Sequence, residues 1–252
     1  METATPTHRV AAGGFRNLNG CERGPRRLGR VRASLVLALC LRCLTAVQGG
    51  ESDALLTAWL ETQGRLKTWS AEFTQTRTLR ALREPIRTPG RLWFTAPNQF
   101  RWELGNPPQT LAVRTPQELI VLYPRLKRAE RYPLGGEGRE PWRDALALLD
   151  AGFPASRAEL ESRFRIRSVE RLEDRAELTL EPVDSRARQF LSQVRLVLRE
   201  PGFALLANEM RFSDGSVLRN DFTNMVANAT FPKEVFALAL DEDVKVVEPL
   251  KR

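Results

Sequence analysis

Cysteine and histidine are missing from most of this chain. The single histidine and all three cysteines lie within the first 43 residues, and none follows Leu44. Residues 44–252 therefore contain no thiol nucleophile, no imidazole base and none of the usual N or S ligands of a zinc site. They also contain no Gly-x-Ser-x-Gly sequence and no phosphate-binding loop sequence. These absences favour a domain that binds through its shape and apolar surface over an enzyme.

A hydrophobic run long enough to cross a bilayer is missing as well. The apolar segment at residues 33–47 is interrupted by Arg42 and is shorter than the ~20 residues that a transmembrane helix needs. Seven arginines precede this segment, and small or polar residues follow it. This order is typical of an export signal. The sequence predicts a signal peptide over residues 1–50, cleaved near residues 46–50, and one domain over residues 51–252. An uncleaved signal anchor is the alternative.

The excess positive charge belongs to the predicted signal peptide. Residues 1–50 hold eight arginines and two glutamates, which account for six of the eight net positive charges, so residues 51–252 carry only +2. A nucleic-acid partner is therefore not expected. With no cysteine in the domain, no disulfide can stabilise it. We expect neither a metal nor a cofactor.

The period of the apolar residues separates helices from strands. Residues 52–67 have a helical period, with Ser52 as the expected N-cap. Turn residues at 84–85 and 88–90 and hairpin residues at Asp214-Gly215 divide segments of period two. A helical period returns at Trp142–Ala151 and at 156–162. The predicted strands after the first strand pair are 91–95, 99–104, 109–114, 119–123, 164–171, 175–181, 190–199, 205–213, 217–225 and one near Phe236.

These elements predict a mainly β, single-domain protein. About ten or eleven antiparallel strands would form a large curved sheet or barrel, with an N-terminal helix and short additional helices. Most carboxylates fall on the polar side of the strands, which disfavours a carboxylate-dependent hydrolase. Seven apolar side chains share the inward parity of their strands, and parity alone favours an ordinary packed core; they are Phe73, Leu92, Phe94, Phe100, Trp102, Leu111 and Val113.

Several short motifs resemble the periplasmic outer-membrane lipoprotein carriers, the LolA-like proteins. The most specific are Gly90-Arg91-Leu92-Trp93-Phe94 and the run from Pro97 to Glu103, and Phe73-Thr74-Gln75 also fits. The resemblance covers residues 51–249. It implies an open, unclosed β-barrel whose apolar concave face is covered by a lid of short helices. The seven inward residues would then line a hydrophobic cavity, and the lid plugs would be Trp142, Leu146 and Leu149.

The resemblance also implies a function. Members of the family take the acyl chains of triacylated lipoproteins from an inner-membrane lipoprotein-releasing ABC transporter and deliver them to an outer-membrane lipoprotein acceptor. This chain would act in the periplasm after signal-peptide cleavage, as a monomer and without catalysis. One position departs from the family pattern, because Ala96 stands where well-known members have the arginine that latches the lid; Arg91 and Arg101 are the candidate substitutes. The alternative is a non-enzymatic binder or sensor of another lipid or lipidated ligand on the same scaffold.

Overall fold

The computed structural model describes residues 50–134, 154 and 156–249. Over these residues, twelve strands form one sheet in the order β12-β6-β5-β4-β3-β2-β1-β11-β10-β9-β8-β7. The paired strands run antiparallel except β6 and β12, which are parallel. The edge strands β12 and β7 do not pair with each other, so the sheet is an open barrel, as predicted. The helix expected at Trp142–Ala151 lies outside the described residues.

The elements have the following bounds. The strands are β1 Thr68–Thr78, β2 Ile86–Thr95, β3 Gln99–Leu104, β4 Thr110–Arg114, β5 Glu118–Tyr123, β6 Arg128–Pro133, β7 Phe164–Arg171, β8 Arg175–Pro182, β9 Leu191–Arg199, β10 Leu205–Phe212, β11 Val217–Ala227 and β12 Lys245–Val247. Helix α1 covers residues 50–64. The other helices are α2 Arg157–Arg163 and α3 Ser185–Phe190, with 3-10 turns at Pro124–Leu126 and Lys233–Phe236.

Several boundaries differ from the prediction. The described residues hold twelve strands, and the strand expected near Phe236 is a 3-10 turn, whereas β12 lies further along the chain. Ser52 is not an N-cap, because residue 50 is already helical; its hydroxyl donates to the carbonyl of Val169 at 3.0 Å. The hairpin at Asp214-Gly215 is confirmed, with Gly215 at a φ of +82° and the Asp214 carboxylate accepting the backbone N–H of Ser216.

Strand β2 runs through Pro89 and Gly90, where the sequence predicts a turn. Pro89 pairs with Thr74 of β1, and its carbonyl accepts the N–H of Gly105 at 2.7 Å. The nitrogen and the carbonyl of a strand residue point to the same side, so the missing N–H of Pro89 points toward β3. The β2–β3 pairing already ends at Gly90 and Leu104. Proline therefore costs no ladder bond here, which is the condition under which a strand tolerates it.

Gly90 leaves room for an aromatic ring. It pairs with Phe73 across β1 and β2. A Cβ atom at position 90 would lie 2.2 Å from Cζ of Phe73 and 2.5 Å from the carbonyl oxygen of Glu103. The Phe73 ring thus lies directly over the glycine backbone. Glycine is required at this motif position because no side chain fits between the ring and the sheet.

The two faces of the sheet bury different clusters. On the inner face, side chains from nine strands and from α1 and α2 form one apolar cluster. The opposite, outer face carries a smaller cluster of Leu111, Ile120, Leu122 and Ala129. Residues 237–249, here called the C-terminal segment, cover the outer cluster with Leu238, Leu240 and Val244. Strand β5 therefore buries side chains on both faces, Leu119 inward and Ile120 and Leu122 outward, and the clean in/out alternation of a half-exposed sheet is lost there.

Arg101 holds the entry to the C-terminal segment. Its Nε donates to Glu103 at 2.7 Å, and its Nη1 donates to the carbonyls of Val235 at 3.3 Å and Ala237 at 3.2 Å. A single guanidinium thus satisfies a neighbouring carboxylate and two backbone carbonyls of a distant segment. Such charge-assisted bonds are stronger than neutral ones.

We expect Gly90→Ala to destabilise the fold by about 1–3 kcal/mol, because the new methyl group must displace the Phe73 ring or the β3 backbone. Urea unfolding measures this loss. Gly64→Ala is the matched control, since nothing lies within 4 Å of a Cβ built at Gly64. An equal stability for the two variants would contradict the close approach of Phe73 to Gly90.

We expect Arg101→Met to lower the free energy of unfolding by about 1–3 kcal/mol, because Glu103 and two carbonyls lose a charged donor. Amide hydrogen exchange over residues 237–249 should become faster in the same variant. Arg91→Met is the control, because Arg91 is exposed and lies on the same face. Unchanged exchange in Arg101→Met would show that this contact does not hold the segment.

Candidate functional site

The centre of the inner face is aromatic. The rings of Phe73 and Trp102 lie 4.1 Å apart between centroids. Phe222 contacts Trp69 at 5.2 Å and Phe73 at 6.0 Å, both in edge-on geometry. These four side chains come from β11, β1 and β3, with β2 between the last two strands. They form a continuous aromatic surface, here called the aromatic patch, of the kind that gives large apolar contact area.

Five of the seven predicted cavity residues lie at this patch or beside it. Leu92 pairs with Trp102 and Phe94 pairs with Phe100 across β2 and β3, which places these side chains on one face. All four, together with Phe73, belong to the inner cluster. The parity inferred for β1, β2 and β3 is therefore confirmed.

The prediction that Leu111 and Val113 share this face is wrong. Leu111 pairs with Glu103 and Val113 pairs with Arg101, and these partners alternate with Phe100 and Trp102 along β3. Both side chains are buried, but on the outer face. The loop between β3 and β4 shifts the parity, and a one-residue shift exchanges the faces of a strand. Ala112 and Val121 occupy the inner positions instead.

The inner face is filled in this conformation. Helix α1 places Leu55, Leu56 and Trp59 against it, and α2 adds Leu160, each at most 2% exposed. Two clefts among the described residues lie at the border of this face, where they touch the inner cluster only at Leu56 and Phe164 or at Phe73. One, of about 660 Å³, lies between α1, α2 and the edge strand β7; the other, of about 430 Å³, is lined largely by polar residues such as Glu72, Arg91 and Glu103. A ligand on the aromatic patch must displace its cover.

Trp59 is the polar exception within that cover. The residue is fully buried, yet its indole Nε1 has no hydrogen-bond partner among the described residues. A buried donor without an acceptor costs about 1–3 kcal/mol. The packing of α1 on the inner face therefore carries a built-in penalty that movement of the helix would remove.

A row of amides crosses the inner face beyond the aromatic patch. Gln75 Nε2 donates to Asn220 Oδ1 at 3.1 Å, and Asn220 Nδ2 donates to Asn208 Oδ1 at 2.7 Å. All three residues are less than a tenth exposed. These bonds satisfy polar groups that would otherwise be costly to bury. The sequence alternation identified Gln75 as inward, but it could not show the amide partners.

A polar patch borders the inner face on β6. The hydroxyl of Tyr132 donates to Glu130 at 2.7 Å, and Arg128 pairs with the same carboxylate at 2.8 Å. Burial, followed by the hydrogen bond to Glu130, raises the pKa of Tyr132 above its usual value. Tyr132 therefore remains a neutral donor across the physiological pH range. Sequence reasoning missed this patch because the polar strand β6 was not predicted.

Neither candidate arginine replaces the lid latch expected at position 96. Ala96 is exposed, and its N–H donates to the carbonyl of Lys67 at 2.8 Å. Arg91 pairs with Glu103 across β2 and β3, so it lies on the outer face with Arg101. Arg101 is also engaged by Glu103 and by the chain before the C-terminal segment. Both guanidinium groups face away from the inner cluster.

The described residues offer little catalytic chemistry. Glu209 is the one carboxylate among them that is less than a tenth exposed, and it lies on the outer face, where it pairs with Arg211 at 2.7 Å. No group of three His, Cys, Asp or Glu side chains able to hold a metal ion occurs within the described ranges. In the same residues, no helix has the length and apolar character needed to span a membrane.

Solved structures of low sequence identity match this chain at modest scores. An uncharacterized conserved protein from Thermus thermophilus has a TM-score of 0.46 and 11% identity, covering 77% of this chain and 98% of its own. A LolA superfamily protein from Nitrosomonas europaea has a TM-score of 0.39 and 12% identity, covering 72% and 97%. LprF from Mycobacterium bovis has a TM-score of 0.35 and 14% identity, covering 73% and 97%. These scores are too low to support any argument about function.

The family model gives a firmer result. No curated protein sequence matches this chain. The model of the outer membrane lipoprotein carrier protein LolA matches residues 64–239, which include the Gly90 and Phe100 motifs and eleven of the twelve strands. The chain therefore belongs to the LolA family of outer membrane lipoprotein carrier proteins.

Proposed function

We propose that this protein is a periplasmic carrier that binds the acyl chains of lipoproteins on its inner face and moves them from the inner to the outer membrane. The observation that supports this proposal is the inner apolar cluster, which spans nine strands around the aromatic patch. An open sheet presents this surface from one side, and helices cover it. A surface that has to receive hydrophobic chains needs this combination of a large apolar area and a removable cover.

The energetics of acyl-chain transfer require such a cover. Each methylene taken out of water is stabilised by about 0.8 kcal/mol, so a triacylated anchor does not cross the periplasm unprotected. When acyl chains replace Leu55, Leu56 and Trp59 on the inner face, one apolar contact is exchanged for another. The net cost is then small, and the carrier can both load and release its cargo. The unpaired Trp59 N–H further lowers the cost of displacing α1.

The remaining parts of the pathway belong to the same proposal. Residues 1–50 act as a signal peptide that is removed near residues 46–50, and residues 51–252 form the exported monomer. The ABC transporter of the inner membrane and an acceptor of the outer membrane are the expected partners, and Trp142, Leu146 and Leu149 are the expected lid plugs. The cargo contacts come from Phe73, Leu92, Phe94, Phe100 and Trp102.

One observation favours a second candidate function. Ala96 provides no latch, and Arg91 and Arg101 point to the outer face. The arginine latch of the well-known carriers therefore has no counterpart at these three positions. A binder or sensor of another lipid or lipidated ligand, which has no need for energy-coupled loading, is the alternative on the same scaffold.

We expect Phe100→Leu to weaken binding of a fluorescent triacylated peptide about fivefold to tenfold, because it removes aromatic contact from the inner face. Titration followed by fluorescence anisotropy measures the affinity. Val113→Ala is the matched control, since Val113 is equally buried but on the outer face. Each substitution is expected to lower the free energy of unfolding by about 1–2 kcal/mol. A difference in peptide affinity between the two variants therefore reflects the face on which the side chain lies and not a loss of stability.

Native mass spectrometry of protein isolated from the periplasm distinguishes the two candidates. A bound triacylated lipoprotein supports the carrier, whereas a bound glycolipid or free fatty acid supports the alternative. Equal loss of peptide affinity in Phe100→Leu and Val113→Ala, or no measurable affinity in the unmodified protein, would overturn the assignment of the inner face as the binding surface.

A further inference from the structure

One end of the open barrel gathers three connecting loops. Residues 79–85 join β1 to β2, residues 183–190 join β8 to β9 and include α3, and residues 213–216 join β10 to β11. The antiparallel pairing places all three at the same end of adjacent strands. The backbone N–H of Ser213 donates to the carbonyl of Phe190 at 2.8 Å, and Arg80 lies beside Gly215. We call these loops, with the flanking residues 77–78, 86–87 and 211–212, the loop end.

The loop end exposes large apolar side chains. Phe190 is 67% exposed, and Leu82, Ile86 and Val183 are between 44% and 46% exposed. These four are half of the eight large hydrophobic residues that the described part of the chain leaves exposed. A fifth, Leu126, lies between β5 and β6 at the same end of the sheet. Exposed apolar residues that cluster in this way, rather than occurring singly, indicate an interaction site.

Arginines without carboxylate partners surround these apolar residues. Arg77, Arg83, Arg87 and Arg186 are exposed and form no ion pair among the described residues. Many arginines elsewhere on the sheet are paired, as Arg101, Arg195 and Arg219 are. Arg91, Arg165 and Arg199 are scattered exceptions that form no ion pair among the described residues. The loop end contains seven arginines and only three carboxylates.

Two of those three carboxylates are already engaged. Asp184 accepts the N–H groups of Arg186 and Ala187 as the N-cap of α3, and Asp214 accepts the N–H and the hydroxyl of Ser216. Such hydrogen bonds leave the carboxylate charges in place, so the three carboxylates offset three of the seven arginines and the loop end keeps a net charge of +4. The electrostatic character of the loop end is therefore positive although the domain as a whole is nearly neutral.

We propose that the loop end docks on an anionic phospholipid bilayer. Exposed phenylalanine and aliphatic side chains on several loops at one end can enter the boundary between headgroups and acyl chains together, while arginines bind the phosphates. The unpaired guanidinium groups provide the charge complementarity to such a surface. Docking would orient the barrel with this end toward the membrane. The inference goes beyond lipoprotein carriage, and it does not depend on the cargo.

Co-flotation of the full chain with cargo-free vesicles tests this proposal. We expect binding to vesicles that contain phosphatidylglycerol and little binding to pure phosphatidylcholine vesicles, with a decrease as salt is raised. Arg83→Gln and Arg186→Gln should each lower the partition coefficient roughly fivefold, and Phe190→Ser should lower it about tenfold. Residues 1–50 are shared by all variants, so differences between variants report the loop end.

The matched controls lie at the opposite end of the sheet. Leu172 is exposed between β7 and β8, and Arg199 is exposed at the end of β9. Leu172→Ser and Arg199→Gln should bind like the unmodified protein. Brominated lipids should quench the added fluorescence of Phe190→Trp but not that of Leu172→Trp. Unfolding midpoints within about 2 °C of the unmodified protein confirm that the exposed substitutions leave the fold intact.

Three outcomes overturn the proposal. They are equal binding of anionic and neutral vesicles, unchanged binding of the loop-end variants, and equal losses at the two ends of the sheet. Because the vesicles carry no lipoprotein, failure here leaves the acyl-chain binding of the inner face untouched. Conversely, loss of peptide affinity on the inner face says nothing about vesicle binding.

Discussion

Water must be kept off the inner face of a sheet that never closes. The edge strands β12 and β7 do not pair with each other, so backbone hydrogen bonds alone do not seal the barrel. The apolar cluster under α1 and α2 provides the seal instead, with Leu55, Trp59 and Leu160 filling the concavity. Burial of apolar area is non-directional, and one apolar group can replace another there without a change in the sheet. Under the proposed function, that interchangeability is what would allow an empty and a loaded state.

The outer face has a different physical character. Across β8 to β11 it carries paired charges, including Glu177 with Arg195 and Glu209 with Arg211 and Arg219. Exposed pairs contribute little stability, but they keep the face polar and wet. Toward β4–β6 the same face is apolar and is covered by the C-terminal segment. The polar region offers no apolar contact area, and the apolar region is already covered, so the proposed function assigns hydrophobic ligands to the inner face.

Local sequence patterns correctly predicted the elements whose structure depends mainly on their own residues. The period of two correctly placed Phe73 and Gln75 on one face of β1, and Asp214-Gly215 correctly predicted a hairpin. The prediction failed where the inward parity of one strand had to be carried across a loop to the next strand. Leu111 has the right residue type for the cavity, but the β3–β4 connection puts it on the other face. Strand β6 was missed because it is polar. A turn was predicted at Pro89, but the residue lies in β2. Its missing N–H is tolerated there because the pairing with β3 ends at Gly90, which the local sequence does not reveal.

The sequence by itself determined the leader-like segment, the mainly β architecture, the near-neutral domain without Cys or His, and the motif that identifies the family. Each is a property of composition or of short-range periodicity, which needs no knowledge of neighbours. Only the tertiary structure decided which buried residues face inward and showed that Gly90 makes room for the Phe73 ring. It also showed that Arg91 and Arg101 do not replace the latch. Finally, it placed exposed Phe190 and Leu82 at one end of the sheet with unpaired arginines. The reason is that these are relations between strands, and the pairing of strands distant in sequence is set by packing and register rather than by the residues of either strand alone.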